Sequence, residues 1–173
     1  LDEAYADGRV DTHTINRLRT LSQKVDKPFF MALGFARPHL PFSVPKKYWD
    51  MYDKDEIPMP EFEQDPEEAP IFSVKRRGEI EQFSPVPENG EPFGKDLKRN
   101  LIHGYYASVS YMDAQLGRVI DELDRLDILD NTIIVLWGDH GWHLGDHKSW
   151  TKHSNFEQAN RIPLIFVSKD TIK

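Results

Sequence analysis

Residues Asn131 to Asn155 read NTIIVLWGDHGWHLGDHKSWTKHSN. Within them, Thr132 to Trp137 is an unbroken apolar run rich in β-branched residues, which predicts a strand buried on both faces of a parallel sheet. The run stops at Gly138. Directly after it come Asp139, His140, Trp142, His143, Asp146, His147, Lys148 and Lys152. In open α/β sheets, ligands and chemistry gather in the loops beyond the carboxyl ends of the strands. A turn between Gly138 and Gly141 lets Asp139 and His140 face one point, as metal ligands or catalytic groups. A carboxylate with an imidazole suits Zn, Mn or Fe by ligand softness, whereas Ca²⁺ normally takes oxygens only. Two ligands do not close a site. His143 and His147 are further ligand candidates, or else residues that orient the ligands and line the pocket. Lys148 and Lys152 bring positive charge that fits an anionic group such as sulfate, phosphate or carboxylate. Taken singly, either lysine reads as a solvated surface residue.

Upstream of this strand, Tyr105 to Leu126 has helical periodicity. Val109, Met112, Leu116, Val119, Ile120 and Leu123 mark one apolar face, with Asp121, Glu122, Asp124 and Arg125 mostly outside it. Downstream, Pro163 to Val167 (PLIFV) predicts another short strand. Nearer the start, residues 11 to 25 predict an amphipathic helix with Ile15, Leu18, Leu21 and Val25 at helical spacing and Asp11 as N-cap. Phe29 to Phe35 (FFMALGF) then reads as a buried strand. After it, ARPHLPFSVPKKYW carries Pro38, Pro41 and Pro45, which rule out regular helix and favour a stiff, extended loop. His39 sits between two of these prolines, just past the strand end. Residues 56 to 96 hold seven of the 12 prolines, so this irregular excursion predicts a lid or substrate wall, or else a disordered segment. Lys75, Arg76 and Arg77 within it read as a solvated basic face. The resulting order is helix, strand, excursion, helix, strand, loop, strand: an α/β alternation with a parallel sheet. Three strands leave open sheet edges, which points to further strands outside this stretch.

Composition narrows the function classes. The chain has 173 residues, 22 Lys+Arg against 29 Asp+Glu, and a formal net charge of -7. One domain is expected, large enough for a real core, with no basic footprint for nucleic acid. An anionic substrate needs a local positive site working against the overall field. There is no cysteine, hence no disulfide or Cys-based metal site. No apolar run is long enough to span a bilayer. The chain opens on Leu1 without a signal-peptide pattern, as an internal piece of a longer protein would. No G-x-S-x-G, P-loop or dinucleotide fingerprint is present.

Three stretches in order, KPFFMALGFARPHLPF (Lys27 to Phe42), YYASVSYMDAQLGRV (Tyr105 to Val119) and WGDHGWHLGDHKSWTKHSNFEQANRIPLIF (Trp137 to Phe166), closely resemble the type I, formylglycine-dependent sulfatases. Residues 1 to 26 and the proline-rich excursion match that family poorly. The resemblance implies an alkaline-phosphatase-like α/β fold with a mostly parallel sheet flanked by helices, incomplete here. It implies a sulfuric ester hydrolase acting on a sulfated sugar or uronic acid, an extracytoplasmic location, and two prosthetic elements. These are a divalent cation, usually Ca²⁺, and a formylglycine made from Cys or Ser in a C/S-x-P-x-R motif. By resemblance, Asp139 and His140 are metal ligands, with His140 where many relatives carry Asn. Here the softness reading and the family's calcium pull apart, and calcium is the expectation. Lys152 falls on the sulfate-binding lysine, where its charge would stabilise the transition state. His39 falls on the histidine that protonates the leaving alkoxide, and Trp142 lines the sugar pocket.

The departures are equally informative. The formylglycine motif, its arginine, the paired aspartates and the upstream lysine and histidine of the family have no counterpart here. Ser43-Val44-Pro45-Lys46-Lys47 imitates the motif in the wrong place. Residues 1–173 therefore read as part of a catalytic domain, inactive alone and binding calcium weakly or not at all. Two other readings stay open. One is a phosphatase or phosphodiesterase of the same superfold, since a D-H-G turn also serves zinc or manganese phosphoryl transfer. The other is a non-catalytic domain that keeps the fold. Oligomeric state and the particular sugar are not legible.

Overall fold

The computed structural model describes residues 1–24, 27–87 and 90–169. They form two compact units. The first comprises Leu1–Met51, Tyr105–Ile134 and Phe166–Lys173, and the second Tyr52–Gly104 and Val135–Ile165. The helices are α1 (Ala6–Leu21), α2 (Lys46–Trp49), α3 (Lys95–Arg125) and α4 (Glu157–Asn160), and the strands β1 (Ile134–Trp137) and β2 (Leu164–Val167).

In the first unit, α1 starts at Ala6, well before the predicted boundary, and Tyr5 rather than Asp11 occupies the N-cap. Asp11 lies inside the helix, fully buried, with Arg118 of α3 3.1 Å away. Burial pushes its carboxyl above the ordinary value, and Arg118 opposes that rise. An i, i+3, i+4 pattern cannot tell an inward-facing carboxylate from a cap. Ile15 and Leu18 are buried as expected, while Val25 lies outside the described residues.

One apolar cluster joins Leu18 to Val119 and Leu123, with Met31, Leu33, Leu126, Ile128, Leu129 and Ile134 packed against it. The other joins Tyr48, Ala107 and Tyr111. Tyr111 lies edge-on to Tyr5 and to Tyr48, with centroids 5.9 and 5.2 Å apart. The tyrosine bridges elements through its hydroxyl as well. It accepts the Gly8 N–H at 2.7 Å and donates to the Asp2 carbonyl at 3.1 Å. Gly8 is the third residue of α1, and its amide is one of the helix-start donors with no intrahelical partner. A side chain from α3 thus does the work of the missing cap.

The buried face of α3 departs from the apolar stripe. Val109 is exposed, whereas Ser108, Gln115 and Glu122 are buried. Glu122 accepts from Arg19 Nε at 2.7 Å and from Arg125 Nε at 2.8 Å. Arg125 first and Arg19 second hold its carboxyl down to about 2. The helix buries this carboxylate because two guanidinium groups meet it there.

Phe29 to Phe35 forms no strand. Burial still alternates, with Met31 and Leu33 half-buried against the first cluster while Phe30 is 92% exposed. The residues have a strand's period but, among the described residues, no ladder partner. β1 is shorter than predicted and has one covered face: Ile134 and Leu136 are half-buried, Val135 and Trp137 exposed. It pairs with β2 in a two-stranded sheet. Gly138 N–H, just after β1, bonds the carbonyl of Pro163, just before β2, so the pair is antiparallel where parallel pairing was expected. No long helical crossover of the kind that parallel pairs use lies between the strands; a 3₁₀ turn at Asp146–Lys148 and the four-residue α4 do.

In the second unit the described residues of the excursion form short 3₁₀ turns at Lys54–Glu56, Ile71–Ser73 and Glu79–Gln82 before α3 begins at Lys95. Its basic cluster is engaged rather than solvated throughout. Arg76 pairs with Asp65 at 2.8 Å, and the Arg77 guanidinium lies 4.4 Å from the Phe93 ring centroid.

Two outcomes are expected. Tyr111→Phe strands the buried Gly8 amide and destabilises the chain by about 1–3 kcal/mol, read by denaturant titration. Glu122 has a folded pKa below its ordinary 4.5, so its stabilisation is present above that value and lost as pH falls toward 2. A Glu122→Gln chain is therefore less stable at neutral pH, and its acid-unfolding curve lacks this component. Parallel acid limbs for the two chains in circular dichroism would refute the assignment.

Candidate active site

The loop after β1 is held by its own backbone. Gly141 N–H bonds the Ala159 carbonyl at 2.7 Å, His143 N–H the Thr151 carbonyl at 2.9 Å, and Gly145 N–H the Ser149 carbonyl at 2.9 Å. The excursion ties in with two more bonds, His147 N–H to Phe62 at 2.6 Å and Trp150 N–H to Arg76 at 2.7 Å. Glycine is required at two points. A Cβ on Gly141 would stand 2.0 Å from the Gln158 carbonyl oxygen. Gly145 has φ +111° and closes against Pro60 and Trp150. Beside it, His147 and Lys148 also take left-handed φ values of 53° and 57°, which non-glycine residues adopt only under external constraint.

Asp139 and His140 are adjacent, Asp139 exposed and His140 half-buried. Asp139 Oδ1 accepts the His140 N–H at 3.0 Å, and Asp139 Oδ2 lies 3.6 Å from His140 Nε2. His140 Nδ1 contacts the Gly141 carbonyl at 2.7 Å. A carbonyl only accepts, so Nδ1 carries the proton, and in the neutral ring the Nε2 lone pair faces the carboxylate. Two electron-rich atoms at that separation suit a shared cation. The pair therefore fits as two donors for a divalent ion. Among the described residues no group of three or more His, Cys, Asp or Glu could hold one.

The two histidines left open as ligands each make contacts within the chain. His143 is fully buried, with Nε2 2.7 Å from Ser154 Oγ and its ring edge-on to Phe156. Burial pushes its imidazole below the ordinary value; Asp146 opposes and His147 adds to the shift. His147 Nδ1 meets the Gln64 carbonyl at 3.1 Å, fastening the excursion. Lys148 is exposed, 3.7 Å from Asp65.

Lys152 is placed differently. Its side chain is only 17% exposed, and Nζ lies 3.2 Å from Glu79 Oε1 and 6.0 Å from the centroid of the Trp142 ring. The ammonium thus lies near both a carboxylate and an aromatic ring. It lines a cavity of about 460 Å³ with Phe72, Ser73, Ser154, Asn155 and Phe156. Trp142 and Lys152, named separately in the sequence, are brought together. Glu79 was missed because it lies in the excursion, where no motif marks it.

His39 belongs to the first unit. It sits at the surface in a turn with cis bonds at Arg37–Pro38 and Leu40–Pro41, its Nδ1 2.9 Å from the Leu40 carbonyl.

The profile of the family described as Sulfatase matches residues 3–173. The chain belongs to the sulfatase family. It is 37% identical over 145 residues to human iduronate 2-sulfatase, covering 80% of this chain and 26% of that one. The chain thus spans about a quarter of the length of that relative. Among solved sulfatase-fold structures, a protein in complex with its substrate D-glucosamine-2-N,6-O-disulfate superposes with TM-score 0.75 at 22% identity. That match covers 98% of this chain and 44% of that one. A phosphonate monoester hydrolase from Silicibacter pomeroyi gives TM-score 0.76 at 22% identity, covering 98% and 34%. At these identities both show the fold alone, the alkaline-phosphatase-like α/β fold. As a family, sulfatases use a divalent cation and a formylglycine.

Because the Gly141 backbone closes on Gln158, Gly141→Ala should destabilise the chain by about 1–3 kcal/mol, read as a lower denaturant midpoint. An unchanged midpoint would show that this turn relaxes freely.

Proposed function

We propose that this chain carries part of the active site of a sulfuric ester hydrolase that removes sulfate from a sulfated sugar or uronic acid, and that residues 1–173 form part of its catalytic domain. The observation that carries the reading is the half-buried Lys152 ammonium, held beside Trp142 and a cavity on the loop that also bears Asp139 and His140. A lysine so enclosed is an anion site more readily than a solvated surface charge. Asp139 and His140 are assigned to a divalent cation, Ca²⁺ by family resemblance. When bound, the cation would supply positive charge to the sulfate, and the family's formylglycine would supply the nucleophilic hydroxyl.

The chain's own residues do the rest. Lys152 binds a sulfate oxygen and opposes the negative charge that grows there as the ester bond breaks. Trp142 offers the sugar an apolar face. His39 holds a proton for the departing alkoxide. With Nδ1–H donated to the Leu40 carbonyl, the proton delivered is the second one of the imidazolium form, carried on Nε2. The partner is a sulfated carbohydrate and the location extracytoplasmic. Among the described residues no helix is long and apolar enough to cross a membrane.

The test compares a sulfate and a phosphate ester sharing one chromogenic leaving group, using the full-length protein that carries this chain with its formylglycine installed. Sulfate should be preferred, and Lys152→Ala should lower kcat by about 10²–10³. A preference for phosphate would replace this reading with the phosphoryl-transfer one. Inactivity on both would favour a non-catalytic domain.

A further inference from the structure

We infer that Asp7 is the positioning residue for His39. Asp7 is the second residue of α1 and is 2% exposed. Its two carboxylate oxygens accept two consecutive backbone amides, Ala36 N–H at 2.8 Å and Arg37 N–H at 2.9 Å. A buried carboxylate spent wholly on one dipeptide is a clamp. Charge-assisted bonds of this kind are about twice as strong as neutral ones, and the first turn of a helix favours the anion electrostatically.

The clamped dipeptide leads straight into the turn that bears His39. Arg37, its amide fixed by Asp7, reaches forward with its side chain. Its Nε donates to the Ser43 carbonyl at 3.1 Å and its NH1 to the His39 carbonyl at 3.0 Å. His39 N–H in turn bonds the Ala36 carbonyl at 2.9 Å. The histidine backbone is therefore held from both sides, by its own amide and its own carbonyl. Both lines lead back to the residues whose amides Asp7 holds. The ring follows, since Nδ1 rests on the next carbonyl. Without the Asp7 carboxylate, two amides lose their acceptors and the turn its footing.

The inference rests on the reading of His39 as the leaving-group acid, and that reading gives it a signature. An acid matters more as the leaving group worsens. The full-length protein carrying this chain is assayed with 4-nitrophenyl sulfate, a good leaving group, and phenyl sulfate, a poorer one. His39→Ala should lower kcat on phenyl sulfate by about 10²–10⁴, with a much smaller loss on 4-nitrophenyl sulfate. Asp7→Asn keeps one acceptor oxygen and should reproduce that selectivity, lowering kcat on phenyl sulfate by about tenfold to a hundredfold with little change in KM. Arg37→Gln, which removes only exposed bonds to the His39 and Ser43 carbonyls, should show the same sense and keeps the test open if Asp7→Asn does not fold. A purely structural role for Asp7 would lower both esters alike. Equal losses, or none, in the Asp7 and Arg37 variants alongside a selective loss in His39→Ala would overturn the inference alone. No leaving-group dependence in His39→Ala would overturn the reading of His39 and the inference with it.

Discussion

The first unit depends on one buried hydroxyl. Tyr111 Oη joins α3 to the start of α1 by accepting from Gly8 and donating to Asp2. Gly8 cannot be replaced there, because a Cβ would stand 2.3 Å from the Asp2 carbonyl oxygen. The same corner gathers a polar network on the Asp2 side chain. Tyr48 donates to it at 2.5 Å, Lys47 at 2.9 Å and Gln115 at 3.2 Å. Burial alone would raise the Asp2 carboxyl, but these donors outweigh it and hold the group below the ordinary value. A corner with three donors on one carboxylate oxygen admits few alternative geometries, because each misplaced donor would be buried unpaired. What it fixes is the first turn of α1, and so the direction in which Asp7 projects.

The second unit solves a different problem. Its functional loop bears acids, imidazoles and ammonium groups, which cannot be packed into an apolar core. Order comes from main-chain hydrogen bonds and from aromatic walls. His143 is the clearest case: it is the most buried imidazole of the loop, spent on Ser154 and framed by Phe156. The excursion contributes by lending carbonyls from Phe62, Gln64 and Arg76. A proline-rich segment is suited to this. Its prolines remove donors without removing acceptors, so it offers carbonyls with few competing amides of its own.

The loop that carries the candidate site was legible before the structure. Gly138–Asp139–His140–Gly141 declared itself through a strand end followed by dense chemistry, and Lys152 and Trp142 through family resemblance. The two long helices were legible in existence but not in facing, while α2 forms inside the stretch whose prolines were read as ruling out helix. Glu122 looked solvent-directed because carboxylates usually are, and its burial is made tolerable by Arg125 on the same helix and by Arg19, far away in sequence. Asp11 was misread for the same reason, with Arg118 as the hidden partner. Asp7 and Glu79 left no local signal at all: each gains meaning from residues about thirty or seventy positions away. Pairings of that kind are invisible to any argument from periodicity.

The strands show the limit of periodicity from the other side. FFMALGF has a strand's alternation and packs Met31 and Leu33 inward, yet Phe30 projects into solvent. All four residues of β2 are exposed, and so is Trp137. Apolar residues at these positions gain nothing from the contacts the chain itself provides. Their composition makes physical sense for strands covered on both faces, which was the original reading of this part of the sequence. The chain spans about a quarter of the length of human iduronate 2-sulfatase. The polar clamps at Tyr111, Asp7 and the loop after β1 are different in kind, because each is complete within the residues it joins.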